Sequence, residues 1–217
     1  MAPWLCLQAG WAENVDNFLL VVLDAGTVAG MDDSELVLPD AAAWRAWLDE
    51  HESDSDGCWL VLAKKGTIVP TSLSYTQALD EALCSGWIDG RKRSRDDATF
   101  LQHFTARRPR SVWSLKNTGH VQRLRAEGRL RPRGEEEVFK AQADGRWERA
   151  YAGQKDAQVP ADLQVLLNAS DAAAQNFAAL DSSGRYHILH QLMTASSPAA
   201  RAKRLAGFAA QLDAAQE

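Results

Sequence analysis

Cysteine is scarce in this chain: Cys6, Cys58 and Cys84 are odd in number and never stand in a Cys-x-x-Cys spacing. That argues against a disulfide framework and against a cysteine-based zinc module, and it fits a reducing, cytoplasmic setting. No stretch reaches the ~18–20 apolar residues that a membrane-crossing helix needs. A basic leader is missing too, and the apolar run Phe18–Val22 follows Glu13 and Asp16, unlike a secretory signal. Gly-x-Ser-x-Gly, Walker A and Gly-x-Gly-x-x-Gly are all absent, so hydrolase, P-loop and Rossmann readings fall away. His187 and His190 would share one helix face, but no third ligand stands at a recognisable spacing and there is no His-Glu-x-x-His. Neither a metal nor a cofactor is expected.

What is present is an ordinary globular composition, 46% apolar and 24% charged over 217 residues. A chain of that length holds one generous domain, or one domain with an appendage, and buries a core without staples. Its net charge of −5 hides a strong segregation. Residues 1–58 carry twelve acids and one base, Arg45, for a net of −11. Residues 87–133 carry thirteen bases and four acids, for a net of +9. Either the basic part receives an anionic partner, or the two parts lie together and neutralise each other.

The chain divides into three regions. Residues 1–34 form an N-terminal extension whose pattern does not commit to an element. Residues 35–133 read as an α+β region. Glu35-Leu-Val-Leu is strand-like; Asp40 caps a helix carrying Trp44, Trp47 and Leu48; Cys58–Ala63 is a buried strand. Ser74 caps a further helix closed by Gly86. Then Trp87–Arg93 and Thr99–Thr105, around the polar turn SRDDA, make a basic β-hairpin. Residues 134–217 read as helices: one following Gly134, then 160 onward, 171–180, 183–194 and 198–214, with apolar residues at helical spacing. The fold expected is therefore α+β: a small, mostly antiparallel sheet with helices, followed by an all-helical C-terminal bundle.

Several of these motifs also carry a resemblance. The strand WLVLAKK, the helix YTQALDEALCSGWIDG, the basic hairpin, FTARRPRSVWSLKN, and later ADGRWERAY followed by VPADL occur in that order. Between about Glu35 and Leu212 the chain resembles the YdeI/OmpD-associated, bacteriocin-protection family. Where members of that family typically show a Lys and then Thr-Arg-x-x-Arg, this sequence has Ser196 and Ala200-Arg201-Ala202-Lys203-Arg204. The Thr is lost and both arginines remain. The resemblance implies a stress-associated protein linked to the envelope and to resistance to cationic peptides; it implies no particular reaction.

Two places carry candidate chemistry. Asp89, in Trp87-Ile-Asp-Gly, is a carboxylate beside a large apolar ring and could serve as an acid or base; equally, it could pair with an arginine or with turn amides. The second is Arg107-Arg-Pro-Arg-Ser-Val-Trp-Ser-Leu-Lys-Asn117. Ser114 would cap a helix with Asn117 at its third position, and a helix start preceded by arginines is a natural site for an anion. Arg108, Arg110, Ser114, Lys116 and Asn117 are the candidate ligand-binding residues; a solvated or internally paired basic surface is the plainer alternative. Phe100, Phe104 and Trp113 could offer stacking faces to nucleic acid. However, Phe100 and Phe104 share a strand face, and a pI of 5.6 argues against a dedicated nucleic-acid binder.

Three functions are therefore expected in order. First is a non-enzymatic stress or bacteriocin-protection protein that binds an anionic small molecule. Next is an enzyme on a small phosphorylated or acidic substrate, with Asp89 as acid/base. Last is an interaction module for an acidic protein surface.

Overall fold

Tryptophan organises the first half of the molecule. The computed structural model describes residues 35–214; the N-terminal extension expected at 1–34 lies outside them. Four strands form one sheet in the order β1-β2-β4-β3: β1 (Glu35–Leu36), β2 (Cys58–Ala63), β3 (Trp87–Ser94) and β4 (Thr99–Ala106). β1 runs parallel to β2, while β2 and β3 both run antiparallel to β4. A register shift interrupts the β3–β4 pairing between Asp89 and Lys92.

One face of this sheet carries Leu60, Leu62 and Phe104, each with no exposed surface. Against it lie α1 (Ala41–His51) and α2 (Tyr75–Cys84), which contribute Trp44, Leu48, Leu79 and Leu83 to the same core. Trp44 and Trp87 are fully buried, and both find acceptors for their indole N–H groups. Trp44 Nε1 donates to the Ala78 carbonyl at 3.1 Å and Trp87 Nε1 to that of Glu52 at 3.2 Å. Burying each large apolar side chain contributes roughly 1.5–3 kcal/mol, which makes this cluster the main source of stability.

The helix starts follow their caps. Asp40 accepts from Ala43 N at 2.9 Å, and Ser74 with Gln77 makes a complete capping box. Gly86, with φ +71, turns the chain out of α2 into β3. The expected hairpin and its turn are present. Phe104 is fully buried and Phe100 packs against the same core.

Past the sheet come α3 (Leu115–Ala126) and α4 (Pro132–Ala143). The sequence reading began this second helix after Gly134, but it starts at Pro132, whose missing N–H and fixed φ suit a first helical position. Gly134 is instead inside the helix, where a Cβ would meet the Cys84 carbonyl oxygen at 2.3 Å. The glycine is there so that α4 can approach the end of α2. Val138 and Ala141 then join the first core.

Part of the segregated charge is paired internally. Arg95 meets Glu35 at 2.7 Å, Arg123 meets Asp80 at 2.7 Å, Arg129 meets Glu81 at 2.7 Å, and Arg131 meets Asp49 at 3.2 Å. Two of these pairs, Arg95–Glu35 and Arg131–Asp49, join the basic segment to the acidic one; the other two spend arginines on Asp80 and Glu81 of α2.

The C-terminal helices are α5 (Ala161–Ala169), α6 (Asp171–Ala179), α7 (Ser182–Met193) and α8 (Pro198–Ala214). They close around their own cluster, with Leu163, Leu167, Phe177, Ile188, Leu189, Leu192 and Leu212 at its centre. The whole is a mixed α+β fold with a helical C-terminal part. No helix among the described residues is long and apolar enough to cross a membrane.

Candidate ligand-binding groove

Ser114 does cap α3: its Oγ accepts from Asn117 N at 3.1 Å. The start of that helix is nonetheless well occupied. Leu115 N donates to the Tyr151 carbonyl at 2.9 Å and Thr118 N to the Ser114 carbonyl at 3.0 Å. In return, Tyr151 N donates to the Trp113 carbonyl at 2.9 Å, so residues 113–115 and 151 form a small bridge. Lys116 is exposed, with its ammonium 6.0 Å from the centre of the Tyr75 ring. Asn117 contributes its backbone to the cap.

Asp89 accepts a hydrogen bond from the Tyr75 hydroxyl at 2.8 Å. Burial, then this bond and the adjoining negative charge, push the phenol pKa well above its usual value. A tyrosine is thus the partner that the sequence left open between an arginine and turn amides. Asp89 does not line the groove described below.

Arg107, Arg108 and Arg110 go three different ways. Arg107 is 6% exposed, with its guanidinium 3.5 Å from the centre of the Trp113 ring. It donates from Nη1 to the Val112 carbonyl at 3.3 Å, while Nε and Nη2, with Trp113 Nε1, are buried without a partner. Burial pulls its pKa down to about 10. Trp113 is pinned between this cation and Trp147, whose ring centre is 5.0 Å away. Arg108 is exposed beside His103, and its charge joins burial in lowering that imidazole's pKa.

Arg110 sits in a tight turn closed by Ser111 N donating to the Arg108 carbonyl at 3.0 Å. Its φ of 67 is left-handed, a conformation normally left to glycine at the third position of such a Pro-containing turn. Holding a non-glycine residue there costs on the order of 1 kcal/mol. That strain places the Arg110 side chain on the rim of a groove of about 420 Å³.

Three segments build this groove: Arg110 and Val112; Asp144, Arg146 and Arg149; and the α7–α8 turn, Met193–Ser196. Arg146 is oriented by Asp144, which accepts from its Nε at 2.7 and 2.8 Å, while Arg146 Nη1 donates to the Ser111 carbonyl at 2.8 Å. These bonds to Arg146 hold the Asp144 pKa below the usual carboxylate range. Arg149 Nη2 donates to the Asp144 carbonyl at 3.1 Å. Gly145 permits this, because a Cβ there would crowd Arg149 Nη1 at 2.7 Å. Among the described residues, neither Arg110 nor Arg149 makes an ion pair with a carboxylate. The groove therefore carries three guanidinium groups against one carboxylate.

The structure brings only Arg110, of the candidate residues read from the sequence, into this groove. Arg146 and Arg149 were missed, although both stand in the ADGRWERAY segment. Two arginines flanking a tryptophan three residues apart were the available signal. The two arginines kept from the family pattern have other work. Arg201 grips Asp162 at 2.7 and 2.8 Å and donates to the Leu192 carbonyl at 2.6 Å, while Arg204 donates to the Gln191 carbonyl. They hold α8 against the end of α7.

Two family models match the chain. Residues 36–137 match a Domain of unknown function (DUF8412), and residues 156–214 match Bacteriocin-protection, YdeI or OmpD-Associated. No curated protein and no solved structure matches it. The resemblance read between Glu35 and Leu212 is thus narrowed, because its first part falls to a different model. The likeness to the bacteriocin-protection, YdeI or OmpD-associated family therefore rests on residues 156–214, the C-terminal helices of this chain.

Proposed function

We propose that this is a non-catalytic protein that binds an anionic ligand in the groove between Arg110, Arg146, Arg149 and the Thr194–Ser196 turn. One observation carries the reading. Arg110 and Arg149 converge on the same hollow from segments far apart in sequence; among the described residues neither makes an ion pair, and the one carboxylate that acts on Arg149, Asp144, is already held by Arg146. A guanidinium fork suits carboxylate and phosphate oxygens, and two of them facing one hollow suit a shared anion. Backbone strain at Arg110 supports the same reading, since strained conformations persist where a side chain is needed in one place. The lining also draws on two parts of the chain: the interval between the two matched segments, and the second matched segment. A cytoplasmic location goes with this proposal.

Calorimetric titration with pyrophosphate and citrate tests it, on the unaltered protein and on Arg110→Gly and Arg149→Ala. The expected result is at least a tenfold loss of affinity in each variant, with Arg110→Gly as stable as the parent because glycine accepts its φ. Binding should also weaken with salt, as screening requires. Unchanged affinity in both variants would remove the groove from consideration.

A further inference from the structure

A second hollow of about 460 Å³ adjoins the groove, and the two linings share Arg149, Met193, Ala195 and Ser196. Their linings differ in charge. The first holds Arg110, Arg146 and Arg149 against Asp144. The second adds Ala150, Leu192, Pro198 and Ser197, and its additional cation, Arg201, is already neutralised by both Asp162 oxygens. Both linings are mostly apolar; the first gathers three guanidinium groups, while the second shares Arg149 with it and has its added charge taken. Hollows of this size accommodate an organic molecule rather than a bare ion.

From this we infer that the ligand is a free amphipathic anion: a carboxylate or phosphate monoester head on an apolar chain of several carbons. This rests on the anion-binding reading above and names the class of ligand. The head lies between Arg110 and Arg149, where two guanidinium groups await acceptor oxygens. The chain runs over Met193 and Ala195 toward Ala150, Leu192 and Pro198. An inorganic anion would leave that apolar floor wet. A neutral alcohol would leave both arginines without acceptors. The geometry also selects against a cationic amphiphile, which would meet three like charges.

Calorimetry with methyl, butyl and hexyl phosphate, all below micelle-forming concentrations, tests the inference on the full chain. Affinity should rise by up to about fourfold for each methylene that enters the second hollow. Hexanol and hexyltrimethylammonium should bind at least tenfold more weakly than hexyl phosphate, and Arg110→Gly should weaken hexyl phosphate by a similar factor. Equal affinity for methyl and hexyl phosphate would overturn the proposed chain site while leaving the anion reading intact. Failure of every phosphate to bind would sink both. Equal binding of hexanol would overturn the head-group assignment. A vesicle arm separates a free ligand from a lipid headgroup. Sedimentation with phosphatidylglycerol vesicles that hexyl phosphate does not compete away would overturn the free ligand.

Discussion

Arg131 Nη2 lies 3.1 Å from Glu81 Oε2, with each of the two side chains only 11% exposed. The pair ties the entry to α4 onto the middle of α2, and Arg129 completes it by holding Glu81 Oε1 at 2.7 Å. Through Asp49, 3.2 Å from the same Arg131, the acidic block of residues 1–58 also meets the basic one here.

Replacing Glu81 by alanine should therefore cost about 1–3 kcal/mol, because it removes the carboxylate both arginines share and leaves Arg131 with Asp49 and Arg129 with Glu127. Chemical denaturation monitored by tryptophan fluorescence measures it. A change below about 1 kcal/mol would mean that water reaches both arginines.

Gly134→Ala probes the approach of α4 to α2. The added methyl would stand 2.3 Å from the Cys84 carbonyl oxygen, a backbone atom with little room to move. A loss of about 1–3 kcal/mol is expected, the usual range for an overpacked site. On an open helix surface the same change would stabilise by up to about 1 kcal/mol, so the sign alone decides.

Cys58 and Cys84 should resist alkylation in the folded protein. Burial raises the Cys58 thiol to about 12, and burial followed by the Glu81 charge raises Cys84 to about 11. The nucleophile is the thiolate. With Cys6 replaced by serine, a thiol reagent at pH 8 should react slowly with native protein and rapidly, at two sites, after denaturation.

His190 predicts a pH dependence for the C-terminal helices. Burial, then the charges of His187 and Arg204, lowers its pKa in the fold, so the unfolded chain takes up a proton more readily than the folded one. Its contribution to stability is present above the usual value of 6.5 and is lost as pH falls below it. The transition should shift to lower temperature from pH 7 to pH 5, and His190→Gln should flatten that slope. Ring contacts of His190 with Tyr151 and Tyr186 cost the variant some stability at every pH, which does not alter the slope.

Elements with strong local chemistry were legible beforehand. Asp40, Ser74 and Ser114 all cap the helices assigned to them, since an N-cap hydrogen bond spans three residues and needs no tertiary partner. Gly134 was less readable. Glycine as a helix boundary and glycine as a point of close approach look identical until the neighbouring carbonyl is known. Asp89 shows the same limit: its acid chemistry was visible, but the Tyr75 hydroxyl that binds it comes from another element.

By itself, then, the sequence determined the α+β order of elements, their caps and turns, the basic hairpin and the family likeness that the C-terminal helices match. Periodicity and short-range hydrogen bonding act along the chain and are written in it. Only the tertiary structure decided which charges are paired within the protein. Arg123, Arg129 and Arg131 are consumed by Asp80, Glu81 and Asp49, while Arg110 meets Arg149 across a hollow. Ion pairing operates over a few ångströms of space without regard to separation along the chain, so no reading of spacing distinguishes a spent arginine from an available one.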